Sequence, residues 1–203
     1  MVGGMLVVVG VFALVNSIIG IDLAGYIWAL ILGLAGLAFI FVLSTDKRSW
    51  WASFPGFTLL GIGAGIAAAE LFPRFSDVLT SALTLGGIGV SFLVVYLLNR
   101  SFWWAIIPMG VMLSIVALIV LEPVMSNSVV FFFLGLAATF GSLALLPINN
   151  GKRPSWPLYP GGAMLLVAFI VGLGSTGWTQ FIMPAALILG GGYLVFRAVH
   201  ARA

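Results

Sequence analysis

A unit of about 52 residues runs through this chain four times, and three of its copies open on a tryptophan, proline and glycine signature. The signature reads Trp50-Trp51-Ala52-Ser53-Phe54-Pro55-Gly56, then Trp103-Trp104-Ala105-Ile106-Ile107-Pro108-Met109-Gly110, then Trp156-Pro157-Leu158-Tyr159-Pro160-Gly161-Gly162. Stepping back 52 residues from Gly56 lands on Gly4, where a first copy begins without its tryptophans. A fixed period of this length means repeated architecture. The repeats run approximately over 1-48, 49-100, 101-153 and 154-203, in one integral membrane domain covering 1-203.

The residues between the landmarks fix the fold class. Hydrophobic residues make up 63% of the chain and charged residues 6%, where a soluble domain carries roughly 25% charged residues. The apolar runs approach the ~20 residues that a helix needs to cross a bilayer. They predict eight helices at 5–20, 24–44, 52–71, 77–98, 103–122, 128–147, 158–174 and 179–198. Continuous apolar runs favour helices over barrel strands, which alternate apolar and polar positions, and a helix satisfies its own backbone in lipid. The expectation is an all-α polytopic membrane protein of four tandem hairpins in pseudo-fourfold arrangement. The first run has no basic segment before it, so it reads as a retained helix and not a cleaved leader.

Orientation follows from charge. Lys47, Arg48, Arg100, Lys152, Arg153, Arg197 and Arg202 fall on one side of such a plan, and only Arg74 falls on the other. Short loops rich in Lys and Arg stay in the cytoplasm, so both termini are expected there, in a cell (plasma) membrane. Trp50, Trp51, Trp103, Trp104 and Trp156 sit beside these basic loops and read as membrane-interface anchors, since an indole keeps its ring in the acyl boundary and its N–H toward water. Pro55, Pro108 and Pro160 follow within the first turn or so of each helix, where a missing N–H costs least.

Small residues recur at close spacing in the second helix of each unit, including Gly33, Gly36, Gly86, Gly89, Gly190, Gly191 and Gly192. Glycine lets transmembrane backbones approach closely, so these residues read as helix-packing positions or, where they face outward, as contacts for another membrane protein or a second copy. Gly190-Gly191-Gly192 is not a phosphate loop, because it lies inside an apolar run without the following Lys and Ser/Thr.

Reactive constellations are missing from the pattern. Asp22, Asp46, Glu70, Asp77 and Glu122 all map to helix ends or loops, away from the midplane positions that mark proton relays and ion paths. Glu70 and Arg74 have the spacing of an ion pair, and Ser76 or Asp77 is placed to cap the next helix. His200 is the single histidine and cysteine is absent, so neither haem, thiolate metal sites nor disulfides are expected. No nucleophile, base and orienting group come together. The chain therefore reads as a non-enzyme without cofactor. The net charge of +3 belongs to membrane anchoring and not to nucleic acid.

In the first unit, Gly4-Met5-Leu6-Val7-Val8-Val9-Gly10-Val11-Phe12-Ala13-Leu14 precedes Trp28-Ala29-Leu30-Ile31-Leu32-Gly33-Leu34-Ala35-Gly36. This resembles the bacterial LiaF/LiaI-type transmembrane repeat, in which a Gly-x-x-Leu helix is followed by a Trp-Pro-Leu-Ile-Leu-Ile-x-x-Gly helix. Later copies drift to Ser81-Ala82-Leu83-Thr84-Leu85-Gly86 and Ala186-Leu187-Ile188-Leu189-Gly190. The resemblance implies membrane hairpins that sense or buffer envelope stress through partner proteins. Several members of that family carry a soluble carboxy-terminal domain, for which the five residues after Ala198 leave no room. The expected function is a non-enzymatic integral membrane scaffold or regulatory protein, with membrane lipid and another membrane protein or a second copy as partners. The alternative is a channel or carrier for a small neutral or lipophilic solute, lined by Ser and Thr.

Overall fold

The computed structural model describes residues 23–46, 48–147 and 153–174, with isolated positions 3, 10, 184, 187, 188 and 191. The expected first and eighth helices lie outside the described residues except at those positions. Among the described residues six α-helices follow one another, namely α1 (Leu23–Thr45), α2 (Ser53–Leu71), α3 (Ser76–Leu98), α4 (Ile106–Leu121), α5 (Val129–Leu145) and α6 (Leu158–Gly174). There are no strands among the described residues. The stretches Ala24–Thr45, Trp50–Leu71, Pro73–Leu98 and Trp103–Leu121 are long and apolar enough to cross a membrane, while α5 and α6 are apolar and shorter, at 17 residues each.

Proline and polar turn residues set the helix limits. Pro55, Pro108 and Pro160 each occupy the third helical position, where the backbone N–H has no intrahelical acceptor to lose. At the far end of α2, Phe72 leaves the helical region at φ −130°, ψ 67°, because the ring of Pro73 disfavours α geometry in the residue before it. The same effect ends α5 at Leu145, with Leu146 extended at φ −77°, ψ 134° before Pro147, two residues short of the expected limit. Trp50–Ala52 and Trp103–Ala105 form 3-10 turns ahead of α2 and α4, so the tryptophans approach the helices and do not stand within them. Neither Ser76 nor Asp77 caps α3. Phe75 holds the N-cap position without a side-chain bond, and the 3-10 turn Pro73–Phe75 runs directly into the helix.

The helices pack antiparallel in chain order, α1 on α2, α2 on α3, and so on to α6. Their large side chains turn outward. Leu30, Leu34, Leu37 and Phe41 of α1 and Leu165, Leu166 and Phe169 of α6 are exposed, whereas the buried positions of α2 are Ser53 and four glycines. This inverts the soluble pattern. Glycine decides the central crossings. A Cβ on Gly61 would meet Leu83 O and the Cα of Gly87, and one on Gly87 would meet Phe57 O and the Cα of Gly61. On the opposite side of α2, Gly56 faces Ile40 and Phe39, and Gly63 faces Ala29 O and Gly33 of α1.

Gly86 and Gly87 are adjacent in sequence, yet Gly86 opens onto free space. Gly87→Ala is therefore expected to force α2 and α3 apart and cost about 1–3 kcal/mol. Gly86→Ala should stay within about 0.5 kcal/mol of the parent. Thermal unfolding of the two variants in one detergent, followed by size-exclusion recovery, checks the contrast, and equal losses would refute it.

Candidate functional site

The most developed surface in the molecule is an aromatic and basic ledge at the C-terminal ends of α1, α3 and α5. Two of its turns are built alike. After α1, the Arg48 N–H donates to Asp46 Oδ1 at 2.9 Å and the Ser49 N–H to Asp46 O at 2.9 Å. After α3, the Ser101 N–H donates to Asn99 Oδ1 at 3.0 Å and the Phe102 N–H to Asn99 O at 3.0 Å. Asp and Asn serve equally here, since each offers an oxygen one carbon from the backbone that mimics a turn carbonyl. Ser49 and Phe102, which lead into the 3-10 turns, share φ −84° with ψ 40° and 46°.

These turns sort the tryptophans into two kinds. Trp51, Trp104 and Trp156 are 52%, 39% and 43% exposed, and each stands four residues before its helix-start proline. The residue that follows each of them, Ala52, Ala105 or Pro157, is fully buried. Trp50 and Trp103, five residues before their prolines, turn inward. Trp50 lies 5.4 Å from the Phe102 ring and 6.1 Å from Phe54. Trp103 lies 6.3 Å from Trp156 and packs on the buried pair Ile106 and Leu143. Each inward ring therefore reaches the next turn along the chain. All five share the interfacial chemistry of an anchor, and the count back from proline separates them.

Beneath the ledge, hairpin α2–α3 is closed by Ser53 Oγ donating to Ser91 O at 2.9 Å, both serines being buried. Hairpin α4–α5 is closed at the same level by the apolar pair Ile106 and Leu143. Arg48, Arg100 and Arg153 are exposed on this side. The Arg100 guanidinium lies 4.6 Å from the centroid of Tyr96. Lys47 and Lys152, which belong to the same connections, lie outside the described residues.

The expected packing glycines fall into different environments. Gly36 is buried with its Cβ direction against Gly56 O and Leu60, and Gly89 faces Met112 and Leu113 of α4. Gly33 and Gly86 open outward, although the backbone of Gly33 backs Gly63. Gly190 and Gly192 lie outside the described residues, and Gly191 is described only as an isolated helical position.

A groove of about 290 Å³ runs between α4 and α5, lined by Ser114, Thr139 and Ser142 among small and apolar residues. The Ser114 hydroxyl donates to Gly110 O at 2.7 Å while its oxygen sits against Gly135. Thr139 donates to Gly135 O at 2.8 Å while its oxygen sits against Gly110. The two helices thus exchange one hydroxyl for one glycine in each direction. Ser142 donates to Thr139 O at 2.7 Å. A second groove, about 450 Å³ and apolar, lies between α5 and α6, and a third, about 370 Å³, between α1 and α2.

The acidic residues stay at helix ends. Glu70 is half-buried with its carboxylate across Gly25 of α1. In place of the expected ion pair with Glu70, the Arg74 guanidinium lies 5.8 Å from the Phe75 ring centroid, because Pro73 interrupts the helix that the i,i+4 spacing required. Asp77 sits in the first turn of α3, where negative charge is favourable. Among the described residues no three His, Cys, Asp or Glu side chains gather as a metal set.

No family model, curated protein or solved structure matches this chain.

The two kinds of tryptophan should respond differently to removal. Trp103→Ala is expected to cost about 3 kcal/mol or more, the usual result for a packed aromatic ring, and Trp104→Ala less than half of that. Brominated lipid should quench Trp104 fluorescence more strongly than that of Trp103, measured in single-tryptophan variants. Equal quenching would contradict the division. Ser53→Ala is expected to cost about 1 kcal/mol through the lost bond to Ser91 O.

Proposed function

We propose that the chain is a non-enzymatic scaffold or regulatory protein of the bacterial cell membrane, crossing it eight times as four tandem helical hairpins with both termini cytoplasmic. The observation that carries this reading is the outward display of large apolar side chains by helices whose buried positions hold mainly small residues. Such surfaces require an apolar surrounding, and four helices have the length to span one.

Three regularities support the repeat. Helices α3 and α5 begin at Ser76 and Val129, 53 residues apart, and α2 and α4 begin at Ser53 and Ile106 with the same interval. The Asx turns at Asp46 and Asn99 keep that interval. One helix crossing recurs as well, at intervals of 53 and then 52 residues, in which Gly36 meets Gly56, Gly89 lies near Met109, and Gly161 lies near Gly141. Orientation is supported by the exposed Arg48, Arg100 and Arg153 at one end of the helices and by Arg74 at the other. The sensing of envelope stress through partner proteins rests on the LiaF/LiaI-type resemblance alone. Gly33 and Gly86, which open outward at equivalent positions, suit contact with another membrane protein or a second copy.

The channel or carrier reading draws on the hydroxyl-lined groove between α4 and α5. That groove is interhelical, and all three of its hydroxyls already donate to carbonyls of their own helices. It favours packing over conduction.

The chain has no cysteine, so single-cysteine variants report position without background. In right-side-out vesicles an impermeant maleimide should label Arg74→Cys and leave Arg100→Cys untouched until the membrane is opened. Purified protein in vesicles should pass small neutral solutes no faster than empty vesicles do. Selective flux, or labelling of both cysteines from one side, would overturn the reading.

A further inference from the structure

The ledge is one-sided in charge. Among the described residues Arg48, Arg100 and Arg153 are exposed at this end, against the single carboxylate of Asp46, which accepts the Arg48 backbone N–H. The opposite helix ends carry Glu70, Asp77 and Glu122 against Arg74. Cations and half-exposed indoles are also paired in sequence. Arg48 precedes Trp51 by three residues, Arg100 precedes Trp104 by four, and Arg153 precedes Trp156 by three. Each pair joins a donor for phosphate oxygen to a ring suited to the boundary between headgroup and acyl chain. The Arg100 guanidinium carbon lies 4.6 Å from the Tyr96 ring centroid, and a guanidinium held on an aromatic ring still has N–H groups with which to donate to a phosphate oxygen.

We propose that this ledge binds anionic phospholipid, with the headgroup phosphate on the loop arginine and the upper acyl chain against the exposed tryptophan, once at each of the three turns. Charge complementarity selects this occupant over zwitterionic lipid, because juxtamembrane cations attract anionic headgroups additively. The inference rests on the membrane-spanning reading and deepens its lipid partner to a headgroup class.

The test uses the full chain in mixed micelles and counts bound lipid by native mass spectrometry, with phosphatidylglycerol offered against phosphatidylcholine of the same acyl chains. We expect phosphatidylglycerol to be preferred by about tenfold or more, with up to three copies retained. The triple variant Arg48→Gln, Arg100→Gln, Arg153→Gln should bring the preference close to one, while Arg74→Gln should leave it unchanged. If the triple variant does not fold, Arg153→Gln alone should remove one retained lipid. Preference that survives these changes overturns the proposal. Displacement of phosphatidylglycerol by inorganic phosphate at equal concentration also overturns it, by assigning the arginines to free anion. Protein that inserts into vesicles but shows no headgroup preference refutes this inference alone, whereas protein that does not insert refutes the membrane reading as well.

Discussion

Helices that turn their leucines and phenylalanines outward must be held together by something other than apolar area, and in this chain that is the close approach of backbones at glycine. α2 carries the heaviest share. Gly56 and Gly63 open its surface toward α1, and Gly61 and Gly65 open it toward α3. Two faces of one helix are therefore stripped of side chains at staggered levels, and each admits a neighbour's carbonyls or Cα atoms. In lipid, where tails offer helices no net hydrophobic drive toward one another, such van der Waals contact and weak Cα–H···O bonding supply the association. A leucine at any of these positions would hold the helices apart.

The contact changes character along the chain. The α2–α3 crossing is glycine on glycine, reinforced by Thr80 Oγ1 donating to Gly65 O at 3.3 Å and by the buried Ser53–Ser91 bond. The α4–α5 crossing sets a hydroxyl against each glycine, and Ile106 against Leu143 closes its end. Ser114 and Thr139 each bond back to the carbonyl four residues earlier, which keeps a polar group satisfied without a cross-helix partner. At the loop end of α5, Asn127 reaches across to Val171 O of α6 at 3.1 Å. The chemistry of closure differs between hairpins that share their starting register.

The helical layout was legible because it depends on signals that act locally. Apolar runs placed the six described helices within a few residues, and proline set the starts of α2, α4 and α6. The errors also have local causes. The helix expected over 103–122 takes in Trp103 and Trp104, which instead form a 3-10 turn ahead of α4, following the Asx bond from Asn99 that the run of apolar residues obscures. Residue type points to Ser76 or Asp77 as the cap, whereas the 3-10 turn that Pro73 begins puts Phe75, which has no capping side chain, at the N-cap of α3. Gly36 and Gly89 stood out as packing positions, but which of two adjacent glycines packs was not legible. Gly86 and Gly87 point about 100° apart around α3, and only the position of α2 decides which of them is covered.

The ledge follows from this packing and is more than a property of its own sequence. An inward tryptophan at one turn touches an aromatic ring at the next only if successive hairpins keep the same height, and that height is set lower down by the glycine crossings. The exchange of Asp46 for Asn99 has a further consequence. Either side chain closes the turn, so the geometry survives the loss of the carboxylate, and the second turn carries its arginine without an accompanying negative charge. Backbone conformation and surface charge are thereby uncoupled. A turn that must hold two rings in place is able to vary its electrostatics while the helix behind it starts in the same position, and this freedom lets the turns after α1 and α3 present arginine with or without a carboxylate beside it.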